Sequence, residues 1–106
     1  MTLTELQKEI YSINKANGWH ESERRPLEYH ALITSEIAEA TECVRNAEPE
    51  YYIENGKPLG ESTEIADTII RCLDYAEVKG WDLEEIIKAK LEYNKTRGFR
   101  HGNKQI

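Results

Sequence analysis

The chain has 106 residues, a length typical of a single domain, here 1–106, with one hydrophobic core. Apolar residues make up 39% of it, no apolar run approaches the ~20 residues of a membrane span, and both cysteines lie in helical segments, so we expect a reduced cytoplasmic protein with no membrane partner. The net charge of −6 disfavours binding to a nucleic acid polymer, since phosphate backbones attract basic surfaces.

Capping residues, prolines and glycines predict where the helices of the first half begin and end. Thr2 and Glu5 have the spacing of a capping box at the start of a first helix, which Gly18 ends. After a short loop, Pro26 suits the first turn of a second helix that extends to about Ala47.

The second half of the chain is divided in the same way. Residues 48–60 contain two prolines and two glycines and predict a loop, after which a third helix is expected over 61–79, ended by Gly80. Asp82 can cap a fourth helix that runs to about Arg97. Because no stretch alternates with period two, we predict no sheet. The expected fold class is an all-α four-helix bundle.

Two pairs of acidic residues stand at helical spacing. Glu36 and Glu39 lie on the predicted second helix, and Glu64 and Asp67 lie on the third. Residues at i, i+3 share one side of a helix, so two facing pairs would form an all-oxygen pocket. Such a pocket suits Mg²⁺ or Mn²⁺ better than zinc. The alternative is that both pairs lie on solvated helix faces, where Glu pairs are common.

The helical wheel separates the two pairs. The pair on the second helix shares its sector with three small or apolar residues, Leu32, Ala40 and Cys43. The pair on the third helix lies opposite an apolar arc and beside Arg71 and Asp74, so that a solvent-exposed face remains an open alternative there. The arc consists of Ile65, Ile69, Ile70 and Leu73. Metal binding would require the third helix to be covered on two sides, one of them by the second helix.

The fourth helix and the residues after it are rich in basic groups. Six of the fourteen basic residues and only one acid lie between Lys88 and Lys104. Three polar positions fall on the apolar face that Leu83, Ile86, Ile87 and Leu91 define; they are Lys90, Asn94 and Arg97. Cationic donors along a core-facing side suit phosphate binding. The alternative is side chains that extend into solvent at a fraying helix end.

Three segments together resemble the MazG-like all-α nucleoside triphosphate pyrophosphohydrolases. They are SEIAEATE, EIADTIIRCLDYAEVKGWDLEEII and KLEYNKTRGFRHGNK, and the resemblance extends from Leu27 onward. It implies a four-helix fold assembled as a homodimer or homotetramer, and Mg²⁺ held by Glu36, Glu39, Glu64 and Asp67. It also implies contacts to phosphate or sugar from Lys90, Asn94, Arg97, Arg100, His101 and Lys104. The family motif often begins with two adjacent glutamates, but here the first position is Ser35.

The resemblance implies that the substrate is a nucleoside triphosphate, cut to a monophosphate and pyrophosphate to cleanse or control the nucleotide pool. In this hypothesis Glu39 positions or deprotonates the attacking water, and Lys90 and Arg97 stabilise the leaving pyrophosphate. Trp19 or Tyr93 stacks on the base, unless each is simply packed in the core. Two alternatives stay open: a non-catalytic helical interaction module of a phage or mobile element, and a relative specialised for dUTP.

Overall fold

The computed structural model describes residues 1–98, which form four helices and one β-hairpin. The elements are α1 (Leu3–Ala16), α2 (Pro26–Arg45), β1 (Tyr52–Glu54), β2 (Lys57–Leu59), α3 (Glu61–Lys79) and α4 (Leu83–Lys95). The predicted order of four helices is confirmed, and α3 has the predicted bounds. α2 and α4 each end two residues before the predicted position.

The prediction of no sheet is wrong, because residues inside the expected loop 48–60 pair as an antiparallel hairpin. Asn55 and Gly56 connect the strands and both have positive φ, +52° and +78°. This is the Asn-Gly pairing that two-residue hairpin turns favour, since their backbone requires φ > 0. Each strand has only three residues and β2 contains Pro58, so neither could show a period-two pattern. The Asn55-Gly56 dipeptide is the feature of the sequence that indicates a hairpin.

The predicted helix ends are formed by the expected side chains. Thr2 Oγ1 accepts a hydrogen bond from the Glu5 amide, and Glu5 Oε1 accepts one from the Thr2 amide, both at 3.1 Å. Asp82 Oδ1 accepts from the Glu85 amide at 3.2 Å. Gly80 ends α3 in the left-handed conformation at φ +71°. These bonds satisfy amides that have no partner inside the helix, which is why the sequence pattern located the ends.

α3 is the central element, packed against α1 on one side and α2 on another. Its C-terminal half contains the most deeply buried side chains, among them Leu73, which is 2% exposed, and Tyr75, which stacks on Tyr29 of α2. Gln7 of α1 donates from Nε2 to the Trp81 carbonyl at 2.9 Å. These contacts join three helices at one end of α3.

Several apolar side chains are left uncovered on the outer side of this arrangement. Ile65, Ile69 and Ile70 of α3 are 39–52% exposed, and α4 has no buried residue within the described part of the chain. α4 is attached through Glu84, whose Oε1 accepts a hydrogen bond from the Leu3 amide at 3.0 Å. Both cysteines are free thiols, as predicted. Among residues 1–98 no helix combines the length and apolarity needed to cross a bilayer.

Candidate metal centre and adjoining cavity

Four carboxylates lie where α2 and α3 pack together. One carboxylate oxygen from each of Glu36, Glu64 and Asp67 lies within 4.8 Å of the others. Glu36 is buried, Glu64 and Asp67 are half-buried, and Glu39 is exposed at the edge of the cluster, within hydrogen-bonding reach of Glu64. The i, i+3 spacing on each helix turns both pairs to the same groove. The structure thus brings together the four residues that the sequence analysis singled out; they are called here the carboxylate cluster.

The solvent-exposed alternative for the acidic pair of α3 is wrong. Asp74, on the same side of the helix, is buried, and Arg71 beside it is half-buried and bonded to α2. Instead, two isoleucines on the other side of α3, Ile65 and Ile69, are exposed. A helical wheel shows which residues share a face, but not which face finds a neighbour, and here the polar face of α3 is the one that meets α2.

The charges in the cluster are only partly balanced. Arg71 Nε donates to Glu36 Oε1 at 2.8 Å. Burial by itself raises the pKa of Glu36, but the hydrogen bond and positive charge of Arg71 act against it, and the pKa of Glu36 is lowered overall. For Glu64, burial and then the neighbouring Glu39 and Glu36 raise the pKa to about 7. Burial and the charge of Glu36 also raise the pKa of Asp67.

One oxygen atom in the cluster has no partner. Glu64 Oε2 is buried and accepts no hydrogen bond within residues 1–98. A buried carboxylate oxygen without a donor is costly unless a proton or a cation satisfies it. Four carboxylates with one arginine make a donor set of oxygens only, with excess negative charge. This donor set fits a hard divalent cation such as Mg²⁺ or Mn²⁺.

A cavity of about 240 Å³ adjoins the carboxylate cluster. Glu36 and Asp67 line one part of it, and its other walls include Trp19, Arg24, Tyr29, Arg71 and Asp74. The guanidinium carbon of Arg24 lies 5.8 Å from the ring centroid of Trp19 and 5.9 Å from that of Tyr29, so it holds the two rings by cation–π contact. Trp19, predicted as a stacking residue, therefore lies at the cavity. The cavity combines flat aromatic walls with two guanidinium groups.

Two arginines of the cavity were not recognised from the sequence as site residues. Arg71 follows Asp67 by four positions and Glu64 by seven, and this spacing was a usable signal that it shares their side of α3. Arg24 lies in the loop before α2, where periodicity gives no direction. Only the three-dimensional arrangement of that loop reveals its position.

The polar residues of α4 lie apart from this cavity in the described structure. The ring of Tyr93 is contacted by Lys90 Nζ at 5.0 Å and by Arg97 Cζ at 5.4 Å. Asn94 is half-buried, and its Oδ1 has no hydrogen-bond partner within residues 1–98. The expected core-facing side of α4 is not covered by the described chain, because Ile86, Ile87 and Leu91 are all exposed. The remaining predicted substrate contacts, Arg100, His101 and Lys104, lie outside the described residues.

Comparison with known protein families, curated proteins and solved structures finds no match to this chain.

Proposed function

We propose that this protein is a divalent-cation-dependent nucleoside triphosphate pyrophosphohydrolase, which converts a nucleotide and water into the monophosphate and pyrophosphate. The observation that supports it most is the unpartnered Glu64 Oε2 inside a cluster of four carboxylates, next to a cavity with aromatic and guanidinium walls. A cation site and an aromatic cavity side by side suit a ligand that has a polyphosphate at one end and a base at the other.

The carboxylate cluster supplies the ligands for the cation. Glu36, Glu39, Glu64 and Asp67 would hold Mg²⁺ or Mn²⁺, while Arg71 keeps Glu36 ionised. The bound ion supplies charge neutralisation for the triphosphate and a water of lowered pKa. Glu39, exposed beside Glu64, would position the attacking water for in-line attack or accept its proton. Glu64 must release its own proton for the cation to bind, since a metal ligand carboxylate is ionised.

The basic groups bind the anionic part of the substrate. Arg24 and Arg71 line the cavity already and can donate to phosphate oxygens. Lys90 and Arg97 of α4 stabilise the leaving pyrophosphate, and Asn94 with the basic residues that follow Gly98 completes the contacts. Trp19 stacks on the base.

We further propose that the working form is a homodimer or homotetramer. This is supported by the uncovered isoleucine arc of α3 and the uncovered apolar face of α4. Exposed apolar patches of this kind mark protein–protein contacts. In such an assembly α4 of one subunit can approach the carboxylate cluster of another, which explains how Lys90 and Arg97 can serve a site that lies apart from them within one chain.

The test is a hydrolysis panel of standard and modified ribo- and deoxyribonucleoside triphosphates with Mg²⁺, with the products separated by chromatography. We expect monophosphate and pyrophosphate in equal amounts, and a loss of at least about 100-fold in turnover in Glu36→Gln and in Glu39→Gln. Glu42→Gln is the matched control, because Glu42 lies one turn further on α2, is exposed, and pairs with Arg45 at 3.8 Å. No turnover across the panel would contradict the proposal.

The uncovered face of α4 also favours a second candidate, a non-catalytic helical interaction module. In such a module the carboxylate cluster binds no cation, so Mg²⁺ leaves the melting temperature unchanged. A bound cation raises it in proportion to the logarithm of its concentration. Thermal melts with increasing Mg²⁺ therefore separate the two candidates without knowledge of a substrate.

A further inference from the structure

A buried acidic residue that the proposed hydrolysis does not use lies at the wall of the cavity. Asp74 is 6% exposed and follows Asp67 by seven positions on α3, which places it roughly 10 Å further along the helix axis. Its Oδ1 accepts a hydrogen bond from Nε2 of His20 at 2.8 Å. His20 is in turn stacked on Tyr11, with ring centroids 4.7 Å apart. These contacts hold the Asp74 side chain in one orientation.

The second oxygen of this carboxylate has no protein donor. Among the described residues, the only hydrogen bond to the Asp74 side chain is the one from His20, so Oδ2 remains an acceptor, and the residue lines the cavity. Asp74 Oδ2 is accessible from the cavity, where a carboxylate oxygen accepts hydrogen bonds. Hence a ligand group that enters the cavity and donates a hydrogen bond is favoured.

The dimensions of the cavity indicate which part of a nucleotide it holds. At about 240 Å³ it is smaller than the ~300–1,000 Å³ of sites that enclose a whole small-molecule ligand. Its carboxylate-cluster end suits the polyphosphate, and its other end combines the rings of Trp19 and Tyr29 with Asp74. A planar base stacked on the exposed ring of Trp19, with one edge turned to Asp74, matches this arrangement.

We propose that Asp74 selects nucleotides whose base has an exocyclic amino group, namely cytosine, adenine or guanine, over uracil and thymine. This inference rests on the proposed function and names its substrate class. An amino group donates to Asp74 Oδ2, as carboxylates do when they accept from cytosine N4. Uracil and thymine present carbonyl oxygens there, and their one N–H edge donor stands between two carbonyls that repel a carboxylate. His20 is a positioning residue that orients Asp74.

The expected selectivity is at least about tenfold in affinity, the factor that one charge-assisted hydrogen bond supplies. It is measured on monophosphates in the absence of divalent cation, so the hydrolytic step is not involved. The probe is the fluorescence of Trp19 in Trp81→Phe, which leaves one tryptophan of the two in the chain. We expect dCMP, dAMP or dGMP to change that fluorescence at concentrations at least about tenfold lower than dUMP and dTMP.

The variants distinguish recognition from a structural role. In Asp74→Asn the preference is expected to fall to about twofold or less, because an amide presents both a donor and an acceptor to the base. His20→Gln is expected to reduce the preference as well, whereas a merely structural loss would weaken all five nucleotides equally. Glu21→Gln is the matched control, since it removes an adjacent exposed charge that does not line the cavity.

Each result supports or overturns the inference. Equal binding of the two classes, a preference for dUMP or dTMP, or no binding of any monophosphate by the wild-type cavity would overturn it. Selective binding without release of pyrophosphate in the hydrolysis panel would contradict the proposed function but support the base selectivity. Hydrolysis of dUTP and dTTP as efficient as that of dCTP, dATP and dGTP would support the proposed function and overturn the base selectivity.

Discussion

At the scale of single residues, the position of one guanidinium group determines how the pKa values of the carboxylate cluster differ. Arg71 bonds to Glu36 and lowers its pKa, whereas Glu64 forms no ion pair within residues 1–98, and burial with the neighbouring Glu39 and Glu36 raises its pKa to about 7. Two glutamates within a few ångströms of one another are therefore shifted in opposite directions. The deficit of positive charge is concentrated at Glu64, where a divalent cation would compensate it best.

Glu64 makes the pH dependence of the metal-free protein unusual. Its pKa rises from an ordinary 4.5 to about 7 on folding, so between these pH values the folded state keeps a proton that the unfolded state has lost. Its contribution to stability is therefore present below about pH 4.5 and is lost as the pH rises to about 7. Asp67 acts in the same direction. Glu36, whose pKa is lowered, contributes stability that is present above about pH 4.5 and is lost as the pH falls below that value.

We therefore predict that Glu64→Gln raises the melting temperature of the metal-free protein at pH 8 and has little effect at pH 5. For a domain of this size about 1 kcal/mol corresponds to roughly 4–8 °C. Mg²⁺ should stabilise the wild type at pH 8 but not the variant. Calorimetric melts at both pH values with EDTA and with Mg²⁺ measure this, and an equal effect at the two pH values would contradict it.

Arg71 is expected to stabilise the cluster more than a surface ion pair does. Arg71→Gln leaves Glu36 buried without its cation, and we predict a loss of about 1–2 kcal/mol in the free energy of unfolding, since Arg71 is itself partly exposed. Arg45→Gln is the control, because its exposed pair with Glu42 should contribute about 0.5 kcal/mol or less. Urea denaturation checks both, and equal losses would contradict the prediction.

At the scale of elements, the hairpin is joined to α3 by a glycine that has no room for a side chain. Gly60 has φ +106°, and a Cβ atom there would lie 2.5 Å from the Glu50 carbonyl oxygen. We predict that Gly60→Ala lowers the free energy of unfolding by at least about 3 kcal/mol, through backbone strain and this clash. In the control Gly56→Ala a Cβ meets nothing within 4 Å, so only the cost of positive φ, about 1–2 kcal/mol, is expected. Urea denaturation that ranks Gly56→Ala as the more damaging change would contradict this.

The helices could be predicted to within two residues and the hairpin could not. Caps such as Thr2 and Asp82 act on amides of their own helix, so a local pattern is sufficient. The hairpin depends on two positive-φ residues and three-residue strands, which are too short for periodicity. Its one local signal, Asn55-Gly56, lay inside a segment read as a loop because of its prolines and glycines.

At the scale of the whole molecule, the uncovered arc of α3 bears on how the chain assembles. If a second copy covers it, as proposed, then Ile69→Glu, which places a charge on a side chain 52% exposed in one chain, should convert the oligomer to monomers. Leu27→Glu is the control, since Leu27 lies in the first turn of α2, outside the arc, and is 78% exposed. Sedimentation velocity distinguishes the states. A monomeric wild type, or an unchanged oligomer in Ile69→Glu, would contradict the assembly.

The sequence located the carboxylates but not their surroundings. Spacing of i, i+3 was enough to pair Glu36 with Glu39 and Glu64 with Asp67, since it depends on one helix alone. Which face of α3 meets α2 depends on tertiary packing, so the burial of Asp74 and the half-buried position of Arg71 could not be read from the wheel. The loop that brings Trp19 and Arg24 to the cavity has no periodicity at all.

The most direct test of the account is whether the carboxylate cluster binds a divalent cation. Electron paramagnetic resonance of Mn²⁺ measures the free ion as wild-type protein is added at pH 8. We predict that the free signal falls with defined stoichiometry, that Mg²⁺ restores it by competition, and that Glu64→Gln removes most of the binding while Glu42→Gln keeps it. A free signal unchanged by wild-type protein, or lowered equally by Glu64→Gln, would contradict the assignment of the cluster as the cation site.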